Sequence, residues 1–207
     1  TYMVAKQLEE DKRKFSDESL QLEHKVRKLL DDQEENGFAF NLKDAMTLNA
    51  QLSDELYELE QWSLKTFEPT IIELKTKTKE IPFNIASRQQ IGQRLMDRGW
   101  KPIIRTEKDH VVVNEAVLKT ITEPDLIPLA TKFIRYFLIQ KRYVMINSWI
   151  NNCRENGRVH GKVMTLRTVT GRMAHHSPNM AQVPASYSPY GKECRECWTV
   201  SNPNQYV

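Results

Sequence analysis

The stretch from Thr168 to Pro184 constrains this chain most; it reads Thr-Val-Thr-Gly-Arg-Met-Ala-His-His-Ser-Pro-Asn-Met-Ala-Gln-Val-Pro. Gly171 and two prolines forbid a long helix through it, so the helical segments elsewhere must stop and deliver a turn-rich loop. That loop concentrates an arginine, two histidines and two amides. Arg172 donates in a fixed fork, and Asn179 and Gln182 both donate and accept, which equips the loop to read the edges of flat polar groups such as bases. It holds no carboxylate. It therefore cannot hold a catalytic magnesium by itself, because that ion wants oxygen ligands and usually a carboxylate.

Charge is divided unevenly along the 207 residues, whose net charge is +3. Residues 1–99 carry 15 Lys+Arg against 19 Asp+Glu, a balance of −4, and residues 100–207 carry 15 against 8, a balance of +7. The basic half is the half with the loop, as expected if a polyanion faces that side. With 40% hydrophobic residues the chain can bury a core in one or two domains. No apolar run approaches the roughly 20 residues that span a bilayer, so no membrane partner is expected. The start, Thr1-Tyr2-Met3-Val4-Ala5-Lys6, is no secretory signal and lacks an initiator Met, as a segment or a processed chain would. Three cysteines fit a reducing compartment, the cytoplasm, better than a disulfide framework.

Taken in order, residues 1–36 read as helix interrupted near Phe15, restarting at a Ser16 N-cap and ending before Gly37. Phe38-Ala39-Phe40 is a short extended connection, and Asn41 with Asp44 opens a second helix to about Phe67, with Ala45, Leu52, Leu56, Leu59 and Trp62 on one stripe. Residues 69–82, including the alternating Lys75-Thr76-Lys77-Thr78-Lys79, read as a strand, a hairpin arm or an exposed loop. Ser87 and Gln90 fit a capping box opening a helix that Gly99 stops, and such a helix start can take a phosphate. An Asn114-capped helix runs through Ile121, and a long helix from about Asp125 to Arg154 buries Leu126, Ala130, Phe133, Phe137 and Val144. Lys141 and Arg142 lie on different azimuths of it, so one at most faces a given phosphate. A single extended segment from Gly157 to about Thr168 then delivers the loop.

Thr170-Gly171-Arg172, followed by His175, Pro178-Asn179, Gln182 and Pro184 and then by Ser188-Pro189-Tyr190-Gly191, resembles the primer-terminus motif of family A DNA polymerases, most closely those of podovirus-type phages. The resemblance runs from about Gln33 to Val207, with its specific motifs at 83–99 and 157–195. It implies a mainly α fold with a small β portion (α+β), a helical thumb-like bundle followed by strands of an incomplete palm. The implied division is a helical segment leading into the thumb (1–67), thumb helices (68–156) and the start of the palm (157–207).

The resemblance also implies roles. Arg172 would touch the primer-terminal pair near the incoming deoxynucleotide, and Asn179 and Gln182 would hold neighbouring sugars and base edges, with His175 in the same DNA-binding set. Correct base pairs all offer minor-groove acceptors, so donors from Arg172 and Gln182 can test pair shape without reading sequence. Asn84 and Ser87 match thumb residues that touch duplex DNA, and Lys141 matches a lysine on the primer-template backbone. Lys192 and Arg195 fall at basic positions directed to nucleotide phosphates. Ala181 departs from bacterial members, which have an amide there. Magnesium would be held by carboxylates beyond this chain in the complete enzyme, so the segment has no catalytic residue or metal ligand of its own and should not polymerise alone. Its partners would be primer-template DNA, the incoming deoxynucleotide and the missing polymerase and exonuclease parts, in a bacterial or phage-infected cytoplasm.

Other chemistries fit less well. Cys194 and Cys197 supply only one Cys-x-x-Cys pair where structural zinc needs four ligands. His175 and Ser177 have no orienting carboxylate near them in sequence and no nucleophile elbow. A free-standing nucleic-acid-binding or assembly protein, or one piece of a split polymerase, is the alternative to a segment of a longer enzyme.

Overall fold

A computed structural model describes residues 16–73 and 78–200. The helix expected before Phe15 and Lys75, Thr76 and Lys77 of the lysine run lie outside the described residues. In chain order the elements are α1 (Asp17–Asn36), β1 (Phe38–Ala39), α2 (Leu42–Thr66), β2 (Thr70–Glu73), β3 (Thr78–Ile81), α3 (Arg88–Met96), α4 (Glu115–Leu118), α5 (Ile127–Asn151), β4 (Arg158–Val159), β5 (Lys162–Met164), β6 (Ala174–His176) and α6 (Gly191–Glu196). The fold is mainly α, with three separate two-stranded antiparallel sheets, β1–β4, β2–β3 and β5–β6. The chain divides into two units, Thr1–Ala45 with Ser148–Val207 and Met46–Asn147.

Capping residues set the helix boundaries. Ser16 Oγ accepts from the Ser19 N–H, and Gly37, at φ 64°, closes α1 by donating to the Gln33 carbonyl. Asn41 Oδ1 accepts from the Asp44 N–H at the start of α2. Asn114 Oδ1 accepts from the Val117 N–H, but α4 is a single turn rather than a helix through Ile121. At α3 only half of the expected capping box forms. Ser87 Oγ accepts from the Gln90 N–H, while Gln90 Oε1 reaches past Ser87 to the Asn84 N–H at 2.7 Å. The Ser87 N–H already donates to the Asn84 carbonyl, which removes the reciprocal partner.

In the Met46–Asn147 unit the core is aromatic. Phe133, fully buried, packs with Trp62, Phe67 and Phe83 at ring-centroid distances of 5.9, 5.8 and 6.4 Å. Leu52, Leu56 and Leu59 bury the α2 stripe as expected, and Leu48, which the expected stripe did not include, is buried with them. On α5 the buried set is Leu129, Ala130, Phe133, Tyr136, Ile139 and Ile146, and Val144 is 59% exposed. The correction is one of azimuth: α5 is apolar on several faces, and the run 133, 136, 139, 146 meets the core where 133, 137, 144 drifts off it. The segment at 69–82 is a hairpin pairing Thr70 with Ile81 and Glu73 with Thr78. Arg94 Nη2 braces it by donating to the Glu68 carbonyl and to Thr70 Oγ1.

In the other unit, Phe40 sits between Trp149 and Trp198, with centroids 6.3 and 5.0 Å away. Around it the 38–41 segment pairs in two directions. Phe38 and Ala39 pair with Val159 and Arg158, while Phe40 bridges to Trp198 and the Asn41 N–H donates to the Cys197 carbonyl. The expected single strand from Gly157 to Thr168 is therefore two short strands in two different sheets, β4 on β1 and β5 on β6. Cys194 and Cys197 are buried, on and beside α6, and neither forms a disulfide. Burial, with Cys194, Asp44 and Glu196 adding, pushes the Cys197 thiol up to about 12.

Two outcomes follow for stability and reactivity. Phe133→Ala removes the ring shared by three aromatic neighbours and should destabilise the Met46–Asn147 unit by about 3–5 kcal/mol, read by urea unfolding with amide exchange resolved by unit. At neutral pH alkylation should label half-buried Cys153 first, with Cys194 and Cys197 modified only on unfolding, as mass spectrometry of intact and urea-treated protein can show.

Candidate nucleic-acid interface

The candidate residues divide between the two units. Arg172, His175, Asn179, Gln182, Lys192 and Arg195 belong to one, and Asn84, Ser87 and Lys141 to the other.

The stretch from Thr168 is carried by a hairpin. β5 and β6 pair Lys162 with His176, Val163 with His175 and Met164 with Ala174. Between them Thr168 pins Arg172 by its backbone. The Arg172 N–H donates to Thr168 Oγ1 at 2.8 Å, that hydroxyl donates to the Arg172 carbonyl at 3.2 Å, and Gly171, at φ 73°, donates to the Thr168 carbonyl. Glycine is the residue that takes this left-handed turn without strain. The Arg172 guanidinium itself is exposed and makes no hydrogen bond or ion pair among the described residues. A fixed backbone with an uncommitted fork is the arrangement a rigid reader of an external acceptor needs.

No Asp or Glu occurs between Glu155 and Glu193, a span that contains Arg158, Lys162, Arg167, Arg172 and Lys192. Arg158 is committed, donating from Nε to the Asn36 carbonyl at 2.6 Å and from Nη2 to the Gly37 carbonyl at 3.0 Å. Lys162 and Arg167 are exposed without a partner among the described residues, so the hairpin presents three cations and no anion. Of the three, only Arg172 stands within the Thr168–Pro184 stretch. The acid-free span is the sequence signal that groups Lys162 and Arg167 with it. Leu166 and Val169 are also exposed, giving the tip an apolar component.

Beyond β6 the chain turns tightly. Asn179 Oδ1 accepts from the Ala181 N–H at 3.1 Å and its carbonyl accepts from Trp149 Nε1 at 3.3 Å, which leaves its Nδ2 uncommitted among the described residues. Gln182 is exposed without a partner among the described residues. His175 is half-buried, with Nδ1 sealed from solvent, and lines a cavity of about 240 Å³ together with Gln33, Phe38, Met180, Val183 and Trp198. Gly161 makes room for this turn. A Cβ there would lie 2.8 Å from the Pro178 carbonyl oxygen and 2.5 Å from the end of Met180.

Arg195 and Lys192 stand on α6. Arg195 Nε donates to the Pro184 carbonyl at 2.8 Å, so it ties down the end of the loop, rather than pairing with Glu193 or Glu196. Lys192 lies 3.7 Å from Glu196 with both side chains exposed, a pairing worth little in water. The turn before α6 is close: a Cβ on Gly191 would fall 1.8 Å from the Ala185 carbonyl oxygen.

In the Met46–Asn147 unit, Asn84 Oδ1 accepts from the Ala86 N–H at 2.9 Å and Ser87 caps α3, so both are partly committed to their own turn. Lys141 is exposed and without a partner among the described residues, whereas Arg142 is buried at 8% exposure. Their opposite exposures fit their different azimuths on α5. Among the described residues no group of three or more His, Cys, Asp or Glu side chains could hold a metal ion. No helix among them is long and apolar enough to cross a membrane.

Comparison with known proteins bears on these elements together. Curated relatives include the DNA-directed DNA polymerases of Escherichia phage T7 and Enterobacteria phage T3, each 35% identical over 126 residues, 58% of this chain and 18% of theirs. DNA polymerase I of Caldicellulosiruptor bescii is 28% identical over 148 residues, 64% of this chain and 17% of its own. The chain thus spans under a fifth of the length of the curated relatives it matches. Among solved structures, the POL domain of Pol1 from M. smegmatis, in complex with DNA primer-template and dNTP, shares the fold with a TM-score of 0.72 over 86% of this chain and 29% of that one, at 18% identity. Residues 52–207, 156 of the 207, match the model of DNA polymerase family A. The chain belongs to DNA polymerase family A.

Proposed function

We propose that this chain is the part of a DNA-directed DNA polymerase that grips primer-template DNA, with residues 1–67 leading into the thumb, 68–156 forming thumb helices and 157–207 beginning the palm. The observation that carries this reading is the Arg172 guanidinium, exposed and uncommitted on a backbone pinned by Thr168 in an acid-free hairpin. Arg172 and Gln182 donate to the minor-groove acceptors of the primer-terminal pairs, which every correct pair displays in nearly the same place. Asn179 offers its Nδ2, and His175 backs the turn from inside. Lys162 and Arg167 add phosphate contacts next to Arg172. In the other unit Lys141 takes a backbone phosphate, and the α3 start, with Asn84 and Ser87, offers N–H groups to another.

Lys192 and the terminal nitrogens of Arg195 are directed to the phosphates of the incoming deoxynucleotide. Nucleotidyl transfer by the whole enzyme draws on divalent metal ions, which stabilise the attacking and leaving oxygens. The described residues do not fit such a site, since the basic span from 156 to 192 has no carboxylate and no metal-holding cluster forms. The chain's own residues bind and orient the duplex, and the metal-holding carboxylates belong to the rest of the enzyme. The compartment on this reading is the cytoplasm of a bacterial or phage-infected cell.

Fluorescence anisotropy with a recessed-end duplex, a blunt duplex and a single strand of equal length tests this. The chain should prefer the recessed end, with log affinity falling linearly as log salt rises. Arg172→Ala should remove about 1–3 kcal/mol of the recessed-end preference, whereas Lys141→Ala should weaken all duplexes alike and reduce the salt slope by about 1. Equal binding to all three nucleic acids at low salt would overturn the reading.

A further inference from the structure

Helix α1 lies outside the 52–207 span that matches the family, yet two of its side chains bond the strand that leads into the Arg172 loop. Glu34 Oε1 accepts from the Val163 N–H at 2.7 Å, and Arg27 Nη1 donates to the Val163 carbonyl at 2.7 Å. The two side chains are themselves paired at 3.0 Å, and Asp31 holds Arg27 from the next turn through Nε at 2.8 Å. Val163 sits opposite His175 in the hairpin, but its own N–H and C=O are turned away from β6 toward α1. A carboxylate and a guanidinium thus stand where a third strand would offer a carbonyl and an amide. Charge-assisted bonds of this kind are stronger than the neutral ladder bonds they replace.

The end of α1 reinforces this contact. His160 Nδ1 lies 2.9 Å from the Glu34 carbonyl oxygen, and Arg158 donates to the Asn36 and Gly37 carbonyls, which helix geometry leaves without partners. The His160 ring packs so closely on Gly37 that a Cβ there would come within 2.8 Å of it. Burial alone would raise the Glu34 carboxyl, but the Val163 N–H and Arg27 outweigh it and hold it below the ordinary carboxylate range. Glu34 is therefore ionised, and an acceptor, at neutral pH.

We propose that Glu34 and Arg27 are positioning residues for the Arg172 loop, fixing the Val163 backbone so that the hairpin carries the Arg172 guanidinium at a set place relative to α1. The anchoring stands on the contacts above, and its consequence for DNA rests on the function proposed for Arg172. Neither side chain touches DNA. Their effect passes through the backbone of one strand residue.

Two measurements on the 207-residue chain separate the anchoring from its consequence. In amide hydrogen exchange without DNA, Glu34→Ala should speed exchange at Val163 and across residues 162–176 by about tenfold or more, while the amides of 46–147 keep their rates. Glu34→Gln keeps an acceptor for Val163 but gives up the charge on Arg27, and should produce a smaller increase. It also serves, with Arg27→Met, if the alanine variant does not fold. Unchanged exchange in the hairpin, or an equal rise in both units, overturns the proposal. In the recessed-end assay Glu34→Ala should lower the preference about five- to tenfold, non-additively with Arg172→Ala and additively with Lys141→Ala. Additivity with both would overturn positioning. Absence of any recessed-end preference in the unaltered chain would instead remove the function proposed for Arg172, and the exchange result alone would then decide the anchoring.

Discussion

The four-residue segment 38–41 is the tie on which the rest of its unit depends. It pairs through Phe38 and Ala39 with Val159 and Arg158, and through Phe40 and Asn41 with Trp198 and Cys197, while the Thr199 N–H donates to the Ala39 carbonyl. Both ends of the long excursion from Val159 to Cys197 are therefore held by one short extended piece. Phe40 seals the junction between two tryptophans. Closing a loop of that length costs conformational entropy that its own polar residues cannot recover. The aromatic junction and its backbone bonds offset that cost, which leaves the excursion free to keep cations and amides on its surface rather than in a core.

Local signals marked where helices begin, and where α1 ends, because Ser16, Asn41, Ser87, Asn114 and Gly37 act within three or four residues of themselves, whereas the end of α4 was misplaced. The α2 stripe was equally legible, since its leucines fall on one face of an otherwise polar helix. The α5 stripe was not, because an apolar helix has several candidate faces and only tertiary packing chooses among them. Val144, expected in the core, is exposed on that account, and Tyr136, Ile139 and Ile146 are buried. The hairpin of β5 and β6 was hidden as well. Ala174-His175-His176 has no alternation of apolar and polar residues, so nothing marks it as a strand until Lys162–Met164 lies beside it.

Of the candidate site, the turn-rich, acid-free character of the loop was legible from residue types, and Arg172 in it is exposed. What Arg195 does was not legible. A basic residue three positions after Lys192 looks available to a phosphate, yet its Nε holds the Pro184 carbonyl across eleven residues. The bonds of Arg27 and Glu34 to Val163 were further out of reach, because they join positions 136 and 129 residues apart and leave no trace in spacing. Interactions of that kind depend on topology, and sequence periodicity carries none of it.

Filling both main-chain groups of Val163 from a helix has an effect beyond the molecule itself. A two-stranded hairpin ordinarily shows the world an unsatisfied row of amides and carbonyls, onto which a neighbouring copy can zip. Here the middle of that row on β5 is already taken by side chains too short and too charged to extend a sheet, so at Val163 this edge has no free main-chain group to offer a further strand.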